Sequence, residues 1–163
     1  MVSKTKIGIT IVAAALIAAV PFITDREGES LEAYKDSVGV LTICRGETFG
    51  VSANDKLTKE ECAALAQSRI GMFMLQIVPL IENEVSPKTL AAHTSFAYNI
   101  GIDGYRRSTT LRLTNAGDLR GGCQAMMKWL TAGGKDCSVR ENNCYGLYLR
   151  RQDEVKLCLA GLV

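Results

Sequence analysis

The chain has a single histidine, His93. Its six cysteines show neither the Cys-x-x-Cys pairs nor the mixed Cys/His clusters of a structural zinc site, so no metal is expected. Only three of its 163 residues are proline, and no internal repeat or low-complexity linker interrupts the sequence. With 47% hydrophobic and 22% charged residues, the composition excludes a disordered tail, a collagen-like repeat and a polytopic membrane protein. A basic surplus is missing as well. The net charge is +2, and Lys4 and Lys6 account for all of it, so acids and bases balance from Asp25 onward. A nucleic-acid-binding domain usually carries an excess of Lys and Arg, and none is expected to bind here. The length fits one globular domain.

One stretch stands apart. Ile7 to Thr24 carries no charge, follows Lys4 and Lys6, and precedes Asp25, Arg26 and Glu27. As a helix its 18 residues would extend roughly 27 Å, just short of a hydrocarbon core of about 30 Å. Lysines before the run orient the N-terminus to the cytoplasm and the body to the outside. Half of the run is strongly apolar, and the rest is alanine with Gly8, Thr10, Pro21 and Thr24. At about −0.3 to −0.6 kcal/mol per strong residue, insertion is only weakly favoured before Gly, Pro and Thr subtract. Residues 1–24 therefore read as a weak membrane anchor and residues 25–163 as the folded body. The alternative is a cleaved secretory signal, but the small residues at Ala13 to Ala15 fall too early for its cleavage site. Both readings export the body.

The cysteines agree with export. Cys44, Cys62, Cys123, Cys137, Cys144 and Cys158 form an even set, as a disulfide framework requires. Cys137 and Cys144 flank a short polar loop and are expected to close on each other. Cys123 with Cys158 and Cys44 with Cys62 are the other pairs considered. Free redox thiols are the alternative.

Local signals point to an α+β domain, mostly helical with one small antiparallel sheet near its start. Thr58-Lys59-Glu60-Glu61 is a capping box. The helix it opens should bury Leu65, Ile70, Phe73, Met74 and Ile77 and stop near Pro79. Ser86-Pro87 starts a second helix that should run to about Ile100. Leu111–Asn115, Leu119–Leu130 and Leu147–Leu159 suggest three more, with Gly117, Gly133-Gly134 and Gly161 at helix ends. Alternation at Val38, Val40, Thr42 and Cys44 is a strand signature.

Two carboxyls and a hydroxyl lie close together in the sequence: Glu27, Asp36 and Thr42. Nine helical steps would put the two acids on opposite faces, so to cooperate the chain must leave any helix before Asp36 and turn back. The pattern Glu27-Gly28, eight residues between the acid and Asp36, then Thr42 six beyond it, resembles the active-site pattern of phage-type lysozymes, the T-even phage lysozyme family. Tyr34-Lys35-Asp36, Ser95-Phe96-Ala97-Tyr98-Asn99-Ile100-Gly101, Ser108-Thr109 and Leu113-Thr114-Asn115-Ala116-Gly117-Asp118 match in order. Trp129 with Ala132-Gly133-Gly134-Lys135, and Gly146-Leu147 with Arg150-Arg151 and Glu154, complete the set. The resemblance covers essentially Glu27 to Leu159, and with its weak anchor the chain looks like a signal-anchor-release endolysin of a phage infecting a Gram-negative host.

This resemblance implies a muramidase that cuts the β-1,4 bond between N-acetylmuramic acid and N-acetylglucosamine in peptidoglycan glycan strands, as a monomer without cofactor. By family analogy, Glu27 donates the proton, Asp36 stabilises positive charge and orients water, and Thr42 helps hold that water. Family members with this triad invert configuration. Asn99 is a candidate sugar contact, a helix-end hydrogen bond being the competing role. Trp129 reads as a core residue ahead of a sugar platform, His93 as an ordinary helix residue, Arg106-Arg107 as a solvated face ahead of a contact to anionic peptidoglycan, and Arg150, Arg151 and Glu154 as ion pairs. Two other classes are considered: a noncatalytic wall-binding module, and a holin-like membrane protein, which would need more apolar spans than this chain has. There is one clear departure: where the family usually continues Ile-Gly-Tyr-Gly-His-Thr, this chain has Ile43-Cys44-Arg45-Gly46-Glu47-Thr48.

The resemblance also suggests regulation. While residues 7–24 sit in the host inner membrane, Glu27 is held at its surface and the triad is unassembled. Loss of membrane potential through a holin or pinholin would free the weak helix, which would then cover itself on the enzyme in the periplasm.

Overall fold

The computed structural model describes residues 7–26, 28–36 and 38–162. The order is α1 (Ile9–Thr24), β1 (Ser30–Lys35), β2 (Leu41–Cys44), α2 (Lys59–Ile77), α3 (Pro87–Ile100), α4 (Ile102–Arg106), α5 (Thr109–Asn115), α6 (Leu119–Gln124), β3 (Thr131–Ala132), β4 (Lys135–Asp136) and α7 (Tyr145–Leu159). Three 3-10 turns occupy Val78–Leu80, Ala125–Lys128 and Arg140–Asn142.

Everything is arranged around α3. Ser86 caps it by accepting from the Thr89 amide, and Pro87 fills its first turn. Nine consecutive residues, Thr89 to Ala97, are buried, so this helix is covered on all sides and its polar side chains need internal partners. Thr89 donates to the Cys158 carbonyl (3.2 Å) and Thr94 to that of Leu90 (2.8 Å), while the His93 ring nitrogen Nδ1 meets the Tyr105 hydroxyl at 2.7 Å. Helices α1, α2 and α7 pack against α3. Trp129 meets Phe96 edge-on and lies over Gly104, where an added Cβ would stand 3.3 Å from its ring.

The apolar N-terminal run is one of these packing helices. Ala15, Ala19 and Ile23 recur every fourth residue and are at most 1% exposed, within the same core as Ile70, Met74, Ile77, Leu90 and Phe96. Leu16 lies on α2 at Gly71, in van der Waals range of where a Cβ would stand. The opposite face, with Ile9 at 87% and Ile17 at 78%, is exposed. At 16 residues α1 is shorter than a full membrane span. Among the described residues, the stretch long and apolar enough to cross is Lys59–Leu80. It carries Glu60, Glu61 and Arg69 and gives Ile70, Met74 and Ile77 to the core, which marks it as a core helix.

A smaller cluster of Ile43, Cys44 and Cys62 sits under the hairpin, with Leu31, Ala33, Val51 and Leu57 around it. Strands β1 and β2 pair antiparallel, Tyr34 opposite Thr42 and Lys35 opposite Leu41. On its other side β1 exchanges hydrogen bonds with residues 55–57. Disulfides join Cys44 to Cys62, Cys123 to Cys158 and Cys137 to Cys144, with Cα separations of 5.3, 5.6 and 4.9 Å.

Several local expectations need correction. Residues 30–35 form a strand that no local sequence signal marks, and β2 covers only the second half of the alternating Val38–Cys44 segment. The capping box on Thr58 and Glu61 is present in both directions, but Leu65 is 38% exposed and Phe73 only partly buried. The helix expected over Leu119–Leu130 ends at Gln124 and tightens into a 3-10 turn. Gly133 and Gly134 do not end a helix. Both have positive φ (55° and 77°) and form the two-residue turn between β3 and β4, a conformation glycine adopts without strain. The short α4 was not anticipated.

Burial holds the His93 imidazole down at about 4, against an ordinary 6.5. The unfolded chain therefore binds the proton first as pH falls, and native stability is lost between about 6.5 and 4. At about 1.4 kcal/mol per unit, urea titrations at pH 7 and pH 4 should differ by about 3 kcal/mol through this group. In His93→Gln that share of the pH dependence should disappear.

Candidate active site

The turn after β1 organises itself around Asp36. Its Oδ1 accepts the backbone amides of Val38 and Val40, each at 2.9 Å, and its own amide donates to the Val40 carbonyl at 2.9 Å. Thr42, only 3% exposed, donates its hydroxyl to that same carbonyl at 3.0 Å. The Val40 peptide groups thus hold a carboxylate and an alcohol at one end of the hairpin. Asp36 and Thr42 are brought together. Glu27, the third residue of the expected triad, lies outside the described residues.

The chain just before it is tied to α7. Arg26 donates Nη2 to Asp153 Oδ2 at 2.6 Å and Nη1 to the Phe22 carbonyl, and its guanidinium sits 4.0 Å above the Phe22 ring. A groove opens here, lined by Arg26, Asn99, Leu147, Arg150 and Asp153. Asn99 also lines the adjoining groove with Trp129, Ala132, Leu147 and Arg151. Asn99 lies on α3, away from the hairpin, and its side-chain oxygen accepts from Arg151 Nη2. Helix-end bonding and groove lining coexist at this residue.

Below the grooves is a buried ion network. Glu154 is fully buried, accepts Arg151 Nη1 (2.6 Å) and Arg150 Nε (3.1 Å), and takes the Ser95 hydroxyl (2.7 Å). Arg151, 1% exposed, also donates to the Trp129 carbonyl and lies 5.0 Å over the Phe96 ring. The three charged residues expected to pair do so, and they fix the floor beneath Asn99. Trp129 is half-buried between core and groove. Arg106 is exposed and reaches Asp103 at 3.7 Å. Among the described residues no three His, Cys, Asp or Glu side chains converge as metal ligands would.

Residues 24–154 match the Phage lysozyme family. The chain belongs to that family. It is 35% identical over 175 aligned positions to a probable prophage lysozyme of Escherichia coli strain K12 and, equally, to the SAR-endolysin of Escherichia phage 933W, each alignment covering 99% of both chains. Among solved structures, an endolysin from Escherichia coli O157:H7 phage FAHEc1 superposes with a TM-score of 0.71 at 30% identity, covering 90% of each chain. The protein is accordingly a glycoside hydrolase of the lysozyme type.

Sequence reasoning missed Arg26 and Asp153, because the contact spans 127 positions and neither residue has a local signature. The network beneath the groove makes a firm demand. Glu154→Ala leaves the Arg151 charge buried without its carboxylate and should cost about 3–5 kcal/mol in urea unfolding. Asp153→Ala, at an exposed pair, should cost less than about 1 kcal/mol.

Proposed function

We propose that this lysozyme is an endolysin that cleaves the β-1,4 bond between N-acetylmuramic acid and N-acetylglucosamine in peptidoglycan, lysing its host. Glu27 serves as the general acid at the leaving oxygen, and Asp36 with Thr42 handles charge and water on the other side of the sugar. Glycosidic cleavage needs an acid and a carboxylate flanking the bond. The observation that carries this reading is the Asp36 carboxylate, fixed by two amides and joined through Val40 to the Thr42 hydroxyl. Its orientation is set before substrate arrives, as charge stabilisation requires. The Thr42 hydroxyl spends its proton on the Val40 carbonyl and keeps lone pairs for a water. Asn99, whose oxygen is engaged by Arg151, retains two amide hydrogens for a sugar in the groove.

Residues 7–24 serve first as an anchor in the host inner membrane, N-terminus in the cytoplasm, and the body waits in the periplasm. Collapse of the membrane potential through a holin or pinholin releases them, and α1 then docks on α2 and α3. Relatives called SAR-endolysins that align over 99% of the chain support this history. So does the composition of α1, whose alanines serve close packing and weaken lipid anchoring together.

Two experiments test these readings. Glu27→Gln and Asp36→Asn should each lower turnover on purified murein at least about a hundredfold. Asp36→Asn should melt near the wild-type temperature, since an amide oxygen still accepts from Val38 and Val40. Full turnover in Glu27→Gln would remove the assignment. For the anchor, Thr10→Leu with Ala13→Leu changes only the exposed face, and should raise the membrane-bound fraction and delay lysis without altering the melting temperature of the soluble protein. Ala15→Leu with Ala19→Leu overpacks the docking face, and should destabilise the soluble protein by about 1–3 kcal/mol per site. Identical behaviour of the two pairs would overturn the two-stage use of α1.

A further inference from the structure

We propose that Arg45 is a positioning residue for the segment that carries Glu27, holding the end of α1 and the start of the hairpin lobe at one guanidinium. The inference rests on reading Glu27 as the acid. Arg45 Nη1 donates to the carbonyl of Thr24, the last residue of α1, and Nε donates to Glu29 Oε1 at 3.2 Å. These two partners bracket Glu27 in the chain, three residues before it and two after. Both side chains of the ion pair are only about a quarter exposed.

Arg45 is presented by a rigid support. Ile43 and Glu47 exchange both backbone hydrogen bonds, at 2.9 and 3.0 Å, which closes a tight three-residue turn with Arg45 at its centre. Cys44, the residue before it, takes a left-handed conformation with φ of 57°, and its disulfide fastens this turn to α2. A non-glycine residue persists in that conformation only where its surroundings over-determine it, and such positions cluster at functional sites. The phage lysozyme pattern has glycine at this position and tyrosine at the next. Cysteine and arginine stand there in this chain. Glu47 and Arg69 line the small cavity beneath the turn together with Arg45, Ile23 and Thr24.

The chemistry suits the task. The last turn of α1 contains no basic residue, and while Arg26 serves the Phe22 and Ile23 carbonyls with its guanidinium and amide, the Thr24 carbonyl at the negative end takes its donor from Arg45. A guanidinium presents several donors in a fixed fork and can serve a carbonyl and a carboxylate at once. Its grip also depends on α1 being docked, since Thr24 is one of its two partners. The clamp therefore forms only in the conformation that places α1 in the core.

The test uses the full-length chain and soluble murein glycan strands. Arg45→Gln should retain its circular dichroism and leave KM within about twofold, while kcat falls about tenfold or more, as misplacement of a reacting group does. Arg45→Lys should recover part of that loss, because one ammonium serves one anchor at a time. If Arg45→Gln does not fold, Arg45→Lys decides, with lowered kcat at constant KM expected. Wild-type kcat in Arg45→Gln, or in a deciding Arg45→Lys, overturns the clamp, as does a loss carried entirely in KM. Glu27→Gln run alongside separates the two readings. An inactive Glu27→Gln beside a fully active Arg45→Gln sinks the clamp alone, and an active Glu27→Gln sinks the acid assignment on which it rests.

Discussion

The burial of one face of α1 against α2 and α3 is the constraint on which the rest depends. Ala15, Ala19 and Ile23 are not accessory cover for a core that is complete without them. They share that core with Met74, Ile77, Leu90 and Phe96, and fully burying an aliphatic side chain is worth about 1.5–3 kcal/mol. The end of α1 leads directly into the segment that carries Glu27 and then into the hairpin holding Asp36 and Thr42. Under the proposed site assignment, the packing of an apolar helix and the placement of the acid are thus linked. The small residues that make the packing close are the same ones that would leave the helix a weak lipid anchor in the proposed first stage.

The second organising element is the charged network on α7. Glu154, Arg150 and Arg151 gather Ser95, Asn99 and the Trp129 carbonyl into one hydrogen-bonded floor, while Asp153 on the outer side of the same helix takes Arg26. A single helix therefore supports the groove from below and secures Arg26 at the end of α1. Buried ion pairs of this kind are weak contributors to net stability but strict about geometry.

The sequence disclosed those features whose determinants are local. The Thr58–Glu61 capping box and the Ser86-Pro87 start each depend on residues within one turn, and both are found as expected. The α+β class followed from such local signals, and the family from ordered blocks spread along the chain. What was not legible depends on distant partners. Residues 30–35 form a strand because β2 on one side and residues 55–57 on the other supply hydrogen bonds, which no local propensity records. Gly133-Gly134 resembles a helix stop until β3 and β4 are seen to pair across it. Arg45 was noted only as a departure from a pattern, since its partners lie 21 and 16 residues away.

All three covalent cross-links begin at or after Cys44, and the first 43 residues lie outside every ring. No disulfide ties the N-terminal segment down, and its end is held by the hydrogen bonds of Arg26 and Arg45. The rings shrink the unfolded ensemble of the body alone. In the proposed anchored state, undocking α1 would therefore break no covalent cross-link and require no reductant.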